Sequence, residues 1–246
     1  MDNRVCYDES IFNNSRDTPG RRDTLKAFAP IALYLQEVTG YPASMILSQR
    51  IKEQGWPTRA PRNNHFGVKC YNPGQEQTFQ TPTGHTFTYR SNACGLAATD
   101  GGNFMDYPTT LDSFLSYIDV VLYREETAGF YGNIREQVPR RFPPPGPVES
   151  MTQAMSEGPY CQAGCTCPNG RGGSMSYGSC MSMHRRTGCM SELDSMTLCD
   201  YSIPQLAGLP PLHNNIRPST NIAEGTRTPI SPNIVTSDIQ GEETVQ

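Results

Sequence analysis

The side chains best suited to acid chemistry lie in one stretch, MILSQRIKEQGW, from Met45 to Trp56, with Glu53 three residues before the only tryptophan of the chain. A carboxyl at a helix end against an aromatic wall is stripped of water, which disfavours its ionised form and raises its pKa. A carboxyl that keeps its proton near neutral pH is a general acid. The plain alternative is a solvated glutamate in the last turn of a core helix. The second chemical group is the set of nine cysteines. Cys161, Cys165, Cys167, Cys180, Cys189 and Cys199 read as three disulfides or a zinc knot. The spacing C-x3-C-x-C lacks the paired C-x2-C of common zinc ribbons and only His184 is near, so disulfides are expected and no metal is assigned. Cys70 and Cys94 bracket a strand pair and can close it with a bridge, which leaves Cys6 as the odd thiol or as a tether.

Helices must position Glu53. Ile46, Leu47 and Ile51 follow helical spacing and bury one face, while Gln49 and Glu53, four apart, line its margin. Gly55 stops this helix and Pro57 prevents it from resuming. A preceding helix is capped by Asp23 or Thr24, carries the stripe Leu25, Phe28, Ala32 and Leu35, and ends at Gly40; Pro30 either kinks it or sits in its first turn. Together the two form an αα-hairpin. From Arg59 to Ser91 the pattern changes to turns and strands. HTFTYRS alternates His85, Phe87 and Tyr89 with Thr86, Thr88 and Arg90, and the turn TPTG pairs it with QTFQ. After a glycine-rich loop, Gly95 to Gly102, a helix is expected from Thr110 to Arg124 on Leu111, Phe114, Leu115, Ile118, Val121 and Leu122.

Five segments follow from composition: a polar arm at 1–22, one apolar core over 23–138, a Pro-rich linker at 139–159, a Cys-rich, disulfide-stapled region at 160–200 with almost no aliphatic side chains, and an unstructured tail at 201–246. A net charge of −4 is too small to argue for nucleic acid or membrane surfaces. No segment approaches eighteen consecutive apolar residues. Nine cysteines point to an oxidising, extracytoplasmic compartment, yet MDNRVCYDES is no signal peptide, so a leader already removed or another export route is expected.

Three pieces occur in order: ASMILSQRIKEQGW, NNHFGVKC, and FTYRS followed by DYPTTLDSFLSYI. Together they resemble the glucosaminidase family of bacterial cell-wall hydrolases, which includes flagellar muramidases and autolysins. The resemblance covers about Leu25 to Gln137. It implies a lysozyme-like α+β fold, mainly helical, with a small β lobe flanking a glycan groove and here followed by a mostly irregular Cys-rich region. By position Glu53 matches the family's catalytic acid, which protonates the glycosidic oxygen as the bond breaks. Asn63, Asn64, Phe66, Gly67 and Lys69 match the segment that opens the β lobe. The Asn amides can bond backbone or sugar hydroxyls, and Phe66 and Gly67 read as structural. Tyr131, in AGFYGNI, falls where the family often has a groove tyrosine.

Glu76 is the only carboxylate between Asn63 and Ala98, so it is the candidate base that activates water, or else a solvated group. Gln49, Asn63 and Asn64 are candidate substrate-binding groups, and Trp56, Tyr71, Tyr89 and Tyr107 are candidate sugar platforms, since aromatic faces stack on pyranose rings. Here Pro57 follows the tryptophan and His65 replaces an aliphatic residue of the family pattern; His65 reads as a surface or supporting group. Arg50, Lys52, Arg59, Arg62 and Lys69 surround one acid, and positive neighbours would lower its pKa unless they point outward, towards stem-peptide carboxylates. The expected activity is cleavage of a β-1,4 bond between amino sugars in peptidoglycan or a related glycan, by an N-acetylglucosaminidase or muramidase reaction without a cofactor. The alternatives are a lytic transglycosylase, which needs the acid but no base, and a non-catalytic glycan-binding or structural protein on the same fold.

Overall fold

The structure is a computed structural model that describes residues 5–13, 18–97, 103–138, 148–157, 166–168, 173–188, 190–210 and 212. It begins with β1 (Val5–Cys6) and a 3-10 turn at Glu9–Asn13 whose Phe12 is fully buried. The described part of the expected polar arm is therefore anchored, and one aromatic side chain in the core is its main apolar hold.

The first helix, α1 (Pro19–Thr39), starts four residues before the expected cap at Asp23, because Pro19 occupies its first turn, where no amide donor is missed. It runs through Pro30 and ends at Gly40, which donates its N–H to the Gln36 carbonyl and turns the chain out of the helix with a left-handed φ of 74°. The second helix, α2 (Ala43–Gln54), follows at once, and Gly55 closes it by donating to the Ile51 carbonyl. α2 packs against α1 on one side and later parts of the chain on others. Consequently Ser44, Ser48, Gln49 and Arg50 are as fully buried as Ile46 and Leu47. The expectation of a one-faced amphipathic helix fails for this reason: α2 is central and is covered on more than one side.

The β lobe holds two hairpins. β2 (Glu76–Gln80) and β3 (Thr86–Arg90) pair antiparallel with Phe79 opposite Phe87, in the expected register around TPTG. β4 (Cys94–Ala97) and β5 (Asn103–Met105) form the second, so residues 95–97 of the glycine-rich stretch read from sequence as a loop are strand instead. The disulfide Cys70–Cys94 closes this lobe as expected. Next comes α3 (Thr110–Ile118), capped by Thr109, which continues into a π-helical turn at Asp119–Tyr123.

The remainder departs most from expectation. α4 (Ala128–Gln137) leads to α5 (Val148–Glu157), which lies inside the segment expected to be a linker and buries Val148, Met151 and Met155. Residues 139–147 of that segment lie outside the described residues. β6 (Thr166–Pro168) and β7 (Ser174–Ser176) pair antiparallel, and α6 (Tyr177–Thr187) then packs on α2 and α5. A 3-10 turn at Met190–Ser195 and β8 (Met196–Thr197) follow, β8 pairing in parallel with β1. The Cys-rich region has an apolar core after all. Methionines supply much of it, with Met181, Met190 and Leu193 fully buried, because the flexible thioether fills gaps that aliphatic side chains would otherwise fill. Of the two expectations for Cys6, odd thiol or tether, the tether holds: it bonds to Cys199, 193 positions away, and Cys180 is also disulfide-bonded. Cys199 is thereby taken out of both expected arrangements of the six C-terminal cysteines, the three disulfides among themselves and the zinc knot.

The start of the expected tail is also packed. Tyr201 donates to Glu37 at 2.7 Å, Leu206 is buried, and Tyr34 donates to the Pro210 carbonyl at 2.6 Å. Met1–Ile216 form one unit, so the boundaries expected near 138 and 160 do not divide the core. The second unit, Arg217–Gln246, lies outside the described residues.

Candidate functional site

Glu53 sits in the last turn of α2, half-buried. Its Oε1 accepts a hydrogen bond of 2.6 Å from the Tyr177 hydroxyl, at the start of α6. Its other oxygen faces Gly67: a methyl group built on that residue would lie 3.2 Å from Glu53 Oε2. Gly67 also has φ +63°, a conformation that side chains rarely adopt, so conformation and space both call for glycine here. Phe104 closes the same corner, 3.9 Å from that built position, and Lys69 Nζ lies 5.4 Å from the centre of its ring.

Burial is the largest influence on Glu53 and pushes its carboxyl up from the ordinary glutamate range; the Tyr177 hydrogen bond and the Lys52 charge oppose this in part. Among the five basic residues expected around the acid, Lys52 is the one that acts on it in this way. Arg62 pairs with Asp106 at 3.1 Å, and Arg50 is turned into the core. The charge of Glu53 also reaches Tyr131 on α4, a buried phenol that burial, Tyr41 and Glu53 together hold above its usual range. The carboxyl at the end of α2 thus meets the β lobe at Gly67 and α6 at Tyr177.

Arg50 sets the end of α2. Its guanidinium lies over Phe28 at 4.5 Å, donates to the Gly55 carbonyl at 2.8 Å and to the Pro57 carbonyl, and donates through Nε to His65 Nδ1 at 3.3 Å. Burial lowers its pKa to about 10, which still leaves it charged. His65 is fully buried rather than at the surface, and burial with the Arg50 charge pushes it down to about 3. Its ring is therefore neutral, with Nδ1 accepting and Nε2 free to donate to Thr110 Oγ1 at 3.2 Å. His65 is thus the partner of a buried arginine.

Several candidate binding groups are used elsewhere. Asn63 donates to the Tyr107 and Pro108 carbonyls, and Asn64 bonds the Val68 amide and the Val68 and Met105 carbonyls, so both amides hold backbone. Tyr89 and Tyr107 are buried, with hydroxyls on Asp119 and Ser116, and offer no face to a sugar. Both follow the inward register of strand and loop that a count of aromatics does not reveal. Gln49 is fully buried, its Oε1 accepting from Tyr117, whose hydroxyl also meets that of Tyr41 at 3.2 Å. Phe66 stacks on Tyr117 at 4.0 Å and is structural, as expected. Trp56 is half-buried between the Arg21 guanidinium, 5.0 Å from the ring centre, and the edge of His184 at 6.1 Å. Tyr71 donates to Glu126 at 2.8 Å and has the Arg124 guanidinium over its ring at 4.5 Å. Glu76 pairs with Arg90 at 2.9 Å across the first hairpin, with both side chains exposed.

Sequence reasoning missed Tyr177 altogether. It lies 124 positions from Glu53, in a region whose composition gave no reason to expect a core. The available signal was local: Ser176 caps a helix that opens with Tyr177, placing the phenol in the first turn.

No family profile and no curated protein matches the chain. Among solved structures it is similar to the catalytic domain of the autolysin Auto from Listeria monocytogenes, at 13% identity and a TM-score of 0.45, covering 72% of this chain and 89% of that one. It is also similar to the glycoside hydrolase domain of FlgJ from Salmonella typhimurium, at 20% identity and 0.41, covering 70% and 91%. A third is a peptidoglycan hydrolase from Sphingomonas sp. A1, at 17% and 0.41, covering 70% and 91%. The α+β class, mainly helical with small hairpins, is the one expected.

Proposed function

We propose that this chain cleaves a β-1,4 glycosidic bond between amino sugars in the glycan strand of peptidoglycan, with Glu53 as the general acid. The observation that carries this reading is the state of Glu53. Burial favours its protonated form, one oxygen is held by a phenol, and the other is approached by a residue without a side chain. A group so arranged can give a proton to a leaving glycosidic oxygen. Gly67, from the NNHFGVKC motif, supports the same role, since its position on the acid explains why that motif follows the acid helix.

The second step has a less fixed owner. Glu76 is engaged by Arg90 on the exposed face of its hairpin, which favours a lytic transglycosylase as the second reading, since that reaction closes the sugar on itself and needs no water-activating carboxylate. Disulfides joining distant parts of the chain fit work in an oxidising compartment outside the cytoplasm. Among the described residues no helix is long and apolar enough to cross a membrane.

Digestion of purified sacculi with the wild type and Glu53→Gln, read by product masses, tests the proposal. Reducing ends are expected from hydrolysis and anhydro ends from transglycosylation. Glu53→Gln is expected to lower the rate by about 10² to 10⁴. Equal products from both proteins, or none from either, would remove Glu53 from the reaction.

A further inference from the structure

The carboxyl of Glu53 has two unlike oxygens. Oε1 accepts from Tyr177 at 2.6 Å, and Oε2 stands over Gly67, where the absence of a side chain leaves room. Tyr177 is itself buried at 1% exposure and is the first residue of α6, a helix packed along α2. Lys52 Nζ lies 5.0 Å from the centre of the Tyr177 ring, and a cation beside a phenol makes its hydroxyl a stronger donor. A phenol that donates to Oε1 keeps the proton of the neutral acid off that oxygen, since one lone-pair direction is already filled and the competing proton would face the phenolic hydrogen.

Resting on the general-acid reading of Glu53, we infer that Tyr177 is a positioning residue. It fixes the carboxyl through Oε1, directs the transferable proton to Oε2 on the Gly67 side, and makes the Cys-rich C-terminal segment part of the catalytic unit. The phenol exchanges no proton with substrate. It holds the acid in one rotamer and sets how readily Oε2 gives up its proton. Because the hydrogen bond favours the ionised carboxyl while burial disfavours it, Tyr177 limits how far burial can raise the acid.

The test titrates Glu53 directly and measures cleavage separately. In protein carrying carboxyl-labelled glutamate, the Glu53 signal is identified by its loss in Glu53→Gln and followed against pH. In Tyr177→Phe the midpoint is expected to move to higher pH. Sacculus digestion by the same variant is expected to keep its activity to higher pH, with KM unchanged and kcat lowered about tenfold through lost orientation. Replacement of Tyr177 by 3-fluorotyrosine keeps the shape and strengthens the donor, so its midpoint is expected to move to lower pH; this arm stands even where the Phe variant does not fold. A midpoint unmoved in both proteins would overturn the inference. So would a lower KM with faster cleavage in Tyr177→Phe, which would mark the phenol as an obstruction. Midpoints that move as expected in a protein that leaves sacculi intact would support the Tyr177–Glu53 coupling and overturn the glycan-cleavage reading alone.

Discussion

At Glu53 two demands oppose each other: burial raises the carboxyl, and every hydrogen bond or cation that holds it in place lowers it again. Burial comes first here, and that order has a consequence for stability. Below the unfolded glutamate value of about 4.3, both folded and unfolded chains carry the proton and the group costs nothing. As pH rises from there through the raised folded value, the folded state holds on to a proton that the unfolded state releases, and stability falls, reaching a plateau once both are ionised. Glu53→Gln is neutral at all pH and keeps an oxygen that can accept from Tyr177. It is therefore expected to be more stable than the wild type at pH 7, with the difference closing below about pH 4. Urea unfolding of both proteins at pH 7 and pH 3.5 measures this, and equal stability at pH 7 would mean that Glu53 is not held in its costly state. The sequence showed Glu53, and the motif NNHFGVKC showed Gly67; that Gly67 lies against the carboxyl, so close that an added methyl group would come within 3.2 Å of Oε2, was not legible, since spacing does not say which loop folds back onto which helix end.

α2 is an element held at both ends by a segment more than a hundred residues away. At its start, Asp194 accepts from the Ser44 amide at 2.9 Å and hydroxyl at 2.6 Å, and lies 3.8 Å from Arg185, which itself donates to the Ser44 hydroxyl. A carboxylate at a helix N-terminus satisfies otherwise unpaired amides and meets the favourable end of the dipole. At the other end Tyr177 holds Glu53, and Arg50 ties the following Gly55–Pro57 turn to the helix from inside. Asp194→Ala leaves Ser44 and Arg185 buried without their anion and is expected to cost about 3 kcal/mol, with Asp194→Asn costing less because one acceptor remains. Chemical denaturation of the three proteins checks the order. A loss confined to the ~0.5 kcal/mol of a surface substitution would show that the cap contributes little.

At the scale of the whole molecule, the ends of the described chain are stitched together. β1 pairs with β8, and next to that pair Cys6 bonds to Cys199 across 193 positions. Chain-entropy reasoning gives a bridge of that span about 5 kcal/mol, more than the ~3.5 kcal/mol for Cys70–Cys94 with its separation of 24. The double variant Cys6→Ser, Cys199→Ser is expected to lose several kcal/mol in thermal or urea unfolding. Because β8 follows directly on the turn that carries Asp194, cleavage activity is expected to fall well before global unfolding. Retained activity up to the unfolding transition would show that the segment stays in place without its bridge.

By itself the sequence determined the helix that carries Glu53, the hairpin around TPTG and the helix from Thr110, and it pointed to Cys70 and Cys94 as a pair that could bridge. Each of these is encoded within a short window, by periodicity, turn residues or one ordered set of motifs. Tertiary structure alone decided which side chains meet the acid. Tyr89, Tyr107, Asn63 and Asn64 have the right types for sugar binding but are consumed by packing and backbone bonds, and burial is a property of the assembled fold. Tyr177 and Asp194 were invisible for the complementary reason. Their partners are distant in sequence, and the methionine-rich core that carries them looks, as composition, like no core at all.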